Sequence, residues 1–304
     1  MNANIMPPAL KEGDLVVIIS PSSALADGEL LDGAKRTLEG WGLRVRIAPH
    51  ALDHVGHFAG KDADRLADLQ AAVLDPEVKC ILCSRGGYGV LRLLEASNLT
   101  SLQTQPKWML GFSDITALHA AFAQVGCCSL HAPMAKALAH SHSNKRVLHN
   151  MHDILFGLKT MSYKVEAHEM NREGVGEGRL FGGNLSLIYA LQGTPYQFPL
   201  DGSILFIEDL SEKLYHIDRM MHNLRLSGAL SRISGLIVGQ FTDIVPNAEF
   251  GQTLEEIVMS MVGDYGYPVC FNFPVGHVGN NVPLIEGSKV RLSVTAKGAT
   301  LTQK

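Results

Sequence analysis

Three stretches of the 304-residue chain carry side chains able to break a bond. In GFSDITALH, residues 111–119, Ser113 stands where an apolar strand-like run gives way to a helix-like one. A helix start leaves backbone N–H groups unpaired, and these are the donors that a developing oxyanion needs. Serine is also an ordinary N-cap residue, so the turn alone leaves both roles open. A serine nucleophile requires a base to take its proton and an acceptor to hold the tautomer of that base. Thirteen histidines compete to be the base. His119 lies further along the helix, away from the turn, while His140, His142, His149 and His152 fall in a polar, irregular stretch. His131 ends a strand-like run and His277 sits in the loop FPVGHVGNNVPL, the settings in which functional histidines are displayed. For the acceptor, Glu208 and Asp209 close the apolar run SILFIED.

A second strand-to-helix turn, CSRGGYGVLRLL, places Gly86, Gly87 and Gly89 where backbone can approach a ligand. It matches neither the phosphate loop nor the dinucleotide fingerprint, and its use is as a second N–H donor facing Ser113 or as a tight turn. Cys80 and Cys83 form a C-x-x-C, but VKCILCS reads as a buried strand, in which side chains three apart point to opposite faces. Five cysteines, two of them adjacent, suit reduced thiols rather than a disulfide framework. His54 with His57, and His140 with His142, lack a third ligand at zinc spacing, so no metal is expected.

The elements that must position these residues follow from the hydrophobic pattern. The first half alternates short apolar runs (DLVVIISPSS, LRVRIAP, VKCILCS, KWMLGFS, CCSLHAP) with helical ones (GELLDGAKRTLEGWG, DADRLADLQAAVLDP, GVLRLLEAS, DITALHAAFAQVG), which predicts a mostly parallel sheet flanked by helices. Active sites of such sheets lie at the carboxyl ends of the strands, so Pro21–Ser23, Ser84–Gly89 and Gly111–Asp114 become one candidate region. Residues 138–171 turn polar and read as a linker between an N-terminal domain, 1–137, and a smaller C-terminal α/β domain, 172–304, with mixed strands. Strand signals there are GRLFGGNLSLIYALQG, GSILFIED, ISGLIVGQFT, PVCFNFP and KVRLSVT, with a helix over LYHIDRMMHNLRLSG.

With 46% hydrophobic and 18% charged residues, the chain can bury globular cores. A net charge of -4 without a basic run argues against a nucleic-acid partner. The opening MNANIMPPALKEGD has no signal-peptide pattern and no long apolar run follows, so a cytoplasmic protein without membrane contact is expected.

Taken together and in order, FAGKDADRLADL, SRGGYGVLRLL, GFSDITALH, GRLFGGNLSLI, FIEDLSEKLYHIDRMMHNL and PVGHVGNNVPLIEG resemble the LD-carboxypeptidase family of serine peptidases, the muramoyltetrapeptide carboxypeptidases, over about residues 13–293. The resemblance implies a flavodoxin-like or amidotransferase-like N-terminal domain, a C-terminal domain of the family's own type, no cofactor, and a homodimer. It implies a triad of Ser113, Glu208 and His277, choosing His277 over His131 and Glu208 over Asp209, in a cleft between the domains. The oxyanion donors would be the backbone N–H of Asp114 and of Gly86 or Gly87, with Arg85 and Asn184 as carboxylate contacts. The reaction implied is hydrolysis of the LD bond that releases terminal D-Ala from cytoplasmic murein tetrapeptide, in peptidoglycan recycling. Two other readings stand beside it: a self-immunity hydrolase of the same family that cleaves a microcin C-like peptide-nucleotide amide, and a non-catalytic peptide-binding protein. An α/β-hydrolase shares the Ser-Glu-His order, but GFSDI lacks the second glycine of its nucleophile elbow.

Overall fold

A computed structural model describes residues 4–140, 144–244 and 248–304. The chain forms two compact units, one of residues up to Thr160 together with Val282–Gly287, the other of Met161–Asn281 with Ser288–Lys304.

The first unit alternates strand and helix: β1 (Leu15–Ile19), α1 (Glu29–Gly40), β2 (Arg44–Ile47), α2 (Asp62–Leu74), β3 (Val78–Cys83), α3 (Leu91–Leu94), β4 (Trp108–Gly111), α4 (Thr116–Gln124), β5 (Ser129–His131), α5 (Ala135–Ala139) and α6 (Lys145–Leu155). Strands β2-β1-β3-β4-β5 are parallel neighbours in that order, the flavodoxin-like order. All five residues of β1, LVVII, are buried, as a central parallel strand covered on both faces requires. On α4 every residue from Thr116 to Ala123 is buried, so this helix belongs to the core.

The polar stretch 138–171 is structured over much of its length. Asn144 starts α6 by accepting the N–H groups of Arg146 and Val147, and Val147, Met151, Ile154 and Leu155 form a buried stripe. Its charged letters are the solvent face of an amphipathic helix rather than a linker. His142 lies outside the described residues.

In the second unit, β6 (Ser162–Val165), β7 (Gly174–Asn184), α7 (Leu185–Leu191), β8 (Ile204–Leu210), α8 (Leu214–Leu226), α9 (Ala229–Arg232), β9 (Gly235–Thr242), α10 (Leu254–Val262) and β10 (Val269–Cys270) follow in turn. The chain then gives β11 (Leu284–Glu286) to the first unit, pairing antiparallel with β5, before β12 (Lys289–Thr295) and β13 (Gly298–Gln303) complete the second sheet. That sheet is mixed, as expected: β7 to β10 are parallel, whereas β12, β13 and β6 are antiparallel. The run GRLFGGNLSLIYALQG, expected to be strand, divides at Asn184, whose side chain accepts Leu187 N–H and converts the apolar tail into α7. Helix α10 carries a capping box between Thr253 and Glu256. Among the described residues no helix is long and apolar enough to cross a membrane.

Candidate active site

Adjacency of β1, β3 and β4 puts the three strand exits singled out above side by side at one sheet end. After β4 the chain turns sharply. Phe112 is extended, and Ser113 takes a left-handed φ of 67° before the short 3-10 turn Ser113–Ile115 leads into α4. A non-glycine residue there stores on the order of 1–3 kcal/mol of strain, which the surrounding structure must hold. No side chain caps this turn or α4, so Ser113 does not serve as the N-cap that its position suggested. Its neighbour Asp114 is buried and spans the strand exits, accepting Ser22 Oγ–H at 2.5 Å and Val90 N–H at 3.0 Å. Burial raises the Asp114 pKa, and those two hydrogen bonds, with Arg65 and His57, pull against the rise.

The glycine loop closes on the serine. A Cβ built on Gly86 would lie 2.8 Å from Ser113 Cβ and 3.0 Å from Oγ, so only glycine lets this backbone come so near. Gly87 has φ +115°, and a Cβ there would fall 2.1 Å from Ser23 Oγ. Ser23 Oγ in turn accepts Tyr88 N–H at 3.0 Å and lies 2.7 Å from His57 Nε2. Arg85 is exposed and donates from Nη1 to Ala24 O at 2.8 Å.

In the second unit, Glu208 is fully buried on β8 and its Oε2 accepts His277 Nδ1–H at 2.8 Å, while the imidazole keeps 17% of its side chain exposed. With Nδ1 carrying the proton, Nε2 is left as the basic nitrogen. Gly276 makes the pair possible: at φ +125° its absent Cβ would stand 2.9 Å from Glu208 Oε2. Asn281 Oδ1 accepts Gly276 N–H and Val275 O accepts Gln240 N–H, which seats the loop on the end of β9. Successive strand residues face opposite ways, so Asp209 turns from His277 and accepts Asn184 Nδ2–H and Ser186 N–H at the start of α7. Burial, then the adjacent Glu208 charge, pushes the Asp209 pKa up to about 6. Asn184 itself is buried, its Oδ1 taken by Leu187 N–H and Ser186 Oγ–H.

Other candidates have structural tasks. His119 is buried between Gly111 O and Ser129 Oγ, and desolvation pushes its pKa down to about 4. His131 is buried against the rings of His119 and Phe112. All five cysteines are buried thiols outside any disulfide, and burial raises the thiol pKa of both Cys80 and Cys83, which disfavours the thiolate that redox or metal chemistry would use. His54 Nε2 faces Gly56 O and His57 Nε2 faces Ser23 Oγ, so each ring is hydrogen-bonded to its own partner. His50, Asp53 and Asp64 bring ligand atoms within 4.8 Å of one another, but His50 Nδ1 and Asp53 Oδ2 already share a 2.9 Å hydrogen bond.

Models of the LD-carboxypeptidase N-terminal and C-terminal domains match residues 16–132 and 177–292. The chain belongs to the LD-carboxypeptidase family. It is 34% identical to a probable murein peptide carboxypeptidase of Bacillus subtilis over 98% of this chain and 94% of that protein. The crystal structure of muramoyltetrapeptide carboxypeptidase from Oxalobacter formigenes is similar with a TM-score of 0.87 at 27% identity, covering 95% of this chain and 98% of that one. The microcin C7 self immunity protein MccF, solved in complex with aspartyl sulfamoyl adenosine, has a TM-score of 0.86 with 99% of each chain covered, at 20% identity, a likeness of fold alone. The LD-carboxypeptidase domain models begin and end inside the two compact units, and the serine turn and the Glu208–His277 pair each fall within a matched segment.

Proposed function

We propose that this carboxypeptidase is of the serine type and releases terminal D-Ala from murein tetrapeptide by hydrolysis of its LD bond. The observation that carries the reading is the hydrogen bond from His277 Nδ1 to the buried Glu208, an oriented base. The strained Ser113 turn and the likeness to a probable murein peptide carboxypeptidase and to muramoyltetrapeptide carboxypeptidase support it. In the reaction, His277 Nε2 takes the Ser113 Oγ proton as Oγ attacks the scissile carbonyl. Glu208 stabilises the imidazolium. The tetrahedral oxyanion is held by the Asp114 N–H and by that of Gly86 or Gly87, donors of a kind worth about 2.7–4 kcal/mol each. Collapse breaks the C–N bond, the leaving amine of D-Ala receives the His277 proton, and an acyl ester remains on Ser113. A water deprotonated by His277 then cleaves that ester and regenerates the hydroxyl. Arg85 is the guanidinium proposed to meet a substrate carboxylate. Asn184, with its amide spent on α7 and Asp209, is proposed to act on the site through the strand that bears Glu208.

The reading extends to a cytoplasmic homodimer acting in peptidoglycan recycling, for which sedimentation of the purified chain tests the dimer. The central experiment is product analysis by mass spectrometry with an LD tetrapeptide, its DD counterpart and an aminoacyl-adenylate amide. D-Ala release from the LD peptide alone is expected, abolished in Ser113→Ala with the thermal melt nearly unchanged. Wild-type turnover by that variant overturns the serine assignment, cleavage of the adenylate amide alone identifies a self-immunity hydrolase, and binding without cleavage identifies a peptide-binding protein.

A further inference from the structure

The block FAGKDADRLADL has no part in the chemistry above, and we propose that its Arg65 is a positioning residue that sets the Gly86–Gly89 loop against Ser113. The proposal rests on the serine reading. Arg65, Asp68, Leu69, Ala72 and Val73 form the buried stripe of α2, so a guanidinium occupies a place that an apolar side chain would fill at lower cost. Its partners explain the charge. Nη1 donates to Pro21 O and to Gly89 O at 3.2 Å, and Nη2 donates to Asp62 Oδ1 at 2.5 Å. Pro21 follows β1 and Gly89 ends the loop after β3, the strands that flank one another beside the serine strand β4.

Gly89 O and Val90 N–H belong to one peptide group. Arg65 takes its oxygen, and the Asp114 carboxylate takes its N–H at 3.0 Å. Buried charges of opposite sign therefore grip the two ends of a single peptide plane, and a flip of that plane would break both bonds. The grip matters because the loop is soft: Gly87 and Gly89 adopt φ of 115° and 141°, and glycine alone does not hold such angles against alternatives. At the near end of the same loop Gly86 touches Ser113. Holding the far end fixed thus fixes where the Gly86 and Gly87 N–H groups stand before substrate arrives, which is what a preorganised oxyanion donor requires.

The surroundings are built to the same end. Asp62 also accepts Arg92 Nε–H at 2.8 Å, tying α3 to α2, and the Phe58 ring lies 5.0 Å from each of the two guanidinium centres. A Cβ on Gly89 would sit 2.7 Å from Arg65 Nη1 and 3.0 Å from Phe58 Cδ1, so the glycine makes room for the clamp.

The test compares wild type, Arg65→Leu, Arg65→Lys and Ser113→Ala for D-Ala release from murein tetrapeptide, with a thermal melt of each. Arg65→Leu fills the buried place on α2 with an apolar side chain and leaves Asp62 paired with Arg92. Its kcat is expected to fall by about tenfold to a hundredfold, short of the loss on deleting a donor outright, with KM within about threefold. Arg65→Lys keeps the charge without the planar fork and is expected to lose at least severalfold in kcat. Wild-type kcat in folded Arg65→Leu, or a loss no larger than its unfolded fraction, overturns the proposal. If the leucine variant does not fold, wild-type kcat in Arg65→Lys overturns it. Inactive Ser113→Ala beside fully active Arg65 variants rejects the clamp alone, whereas active Ser113→Ala rejects the serine reading beneath it.

Discussion

Gly276 decides more about the Glu208–His277 pair than either partner, because a single methyl group at its Cα would meet the carboxylate oxygen at 2.9 Å. If His277 is the base proposed above, Gly276→Ala is expected to lower kcat about a hundredfold, the effect of misplacing a catalytic group by about an ångström, and to destabilise the fold by about 1–3 kcal/mol through its φ of +125°. Gly279→Ala in the same loop is the control, since a Cβ there meets nothing within 4 Å. Steady-state kinetics and melts of both variants check this, and wild-type kcat in Gly276→Ala would show that the loop tolerates the displacement. Residue types at these positions were legible in the sequence, but their backbone states were not. Serine does not announce a left-handed φ, and an arginine letter does not announce the burial that Arg65 has on α2. Glu208 and Asp209 could be seen as a pair, whereas which one faces His277 depends on strand pairing that shifts register between Ile207 and Asp209.

At the scale of elements, β4 and α4 hold the serine turn between them, and His119 is their fastener. Its neutral ring donates from Nε2 to Gly111 O and accepts at Nδ1 from Ser129 Oγ. Burial outweighs the hydrogen bond to Gly111 O and holds the folded pKa near 4, against 6.5 in the unfolded chain. A depressed folded pKa contributes stability that is present above pH 6.5 and lost as the pH falls towards 4, on the order of 3 kcal/mol. His119→Gln lacks that titration. The stability gap between wild type and variant, measured by urea unfolding, should therefore be widest near pH 7 and shrink as the pH is lowered; a gap independent of pH would count against a neutral His119. Legibility followed burial here too. The central parallel strands are continuous apolar runs and stood out, while β6, with its alternately exposed SYKV, and the three-residue β11 lack a run long enough to register. Helix α10 carried a readable signal, Thr253 three residues before Glu256, that the strand-rich context hid.

At the scale of the whole molecule, the chain changes unit at 160/161, 281/282 and 287/288, so the block PVGHVGNNVPLIEG serves both units within a few residues. Its first part carries His277, and its last part, β11, covers the edge that β5 would otherwise expose. The opposite edge, β2, is protected differently, with Arg44 and Arg46 paired to Glu77 and Asp75 along an alternately exposed strand. Through this threading a substitution late in the chain acts on the first unit. Leu284 is fully buried and aligns with His131 across the β5–β11 ladder. Leu284→Ala should cost about 2–5 kcal/mol, the range for emptying a buried leucine site. The loss should be local to the first unit: hydrogen exchange read by mass spectrometry is expected to accelerate in peptides covering β4, β5 and β11, while those covering β7 to β9 keep their protection. Equal acceleration in both sets would mean that β11 supports the molecule as one cooperative body rather than closing the edge of a single sheet.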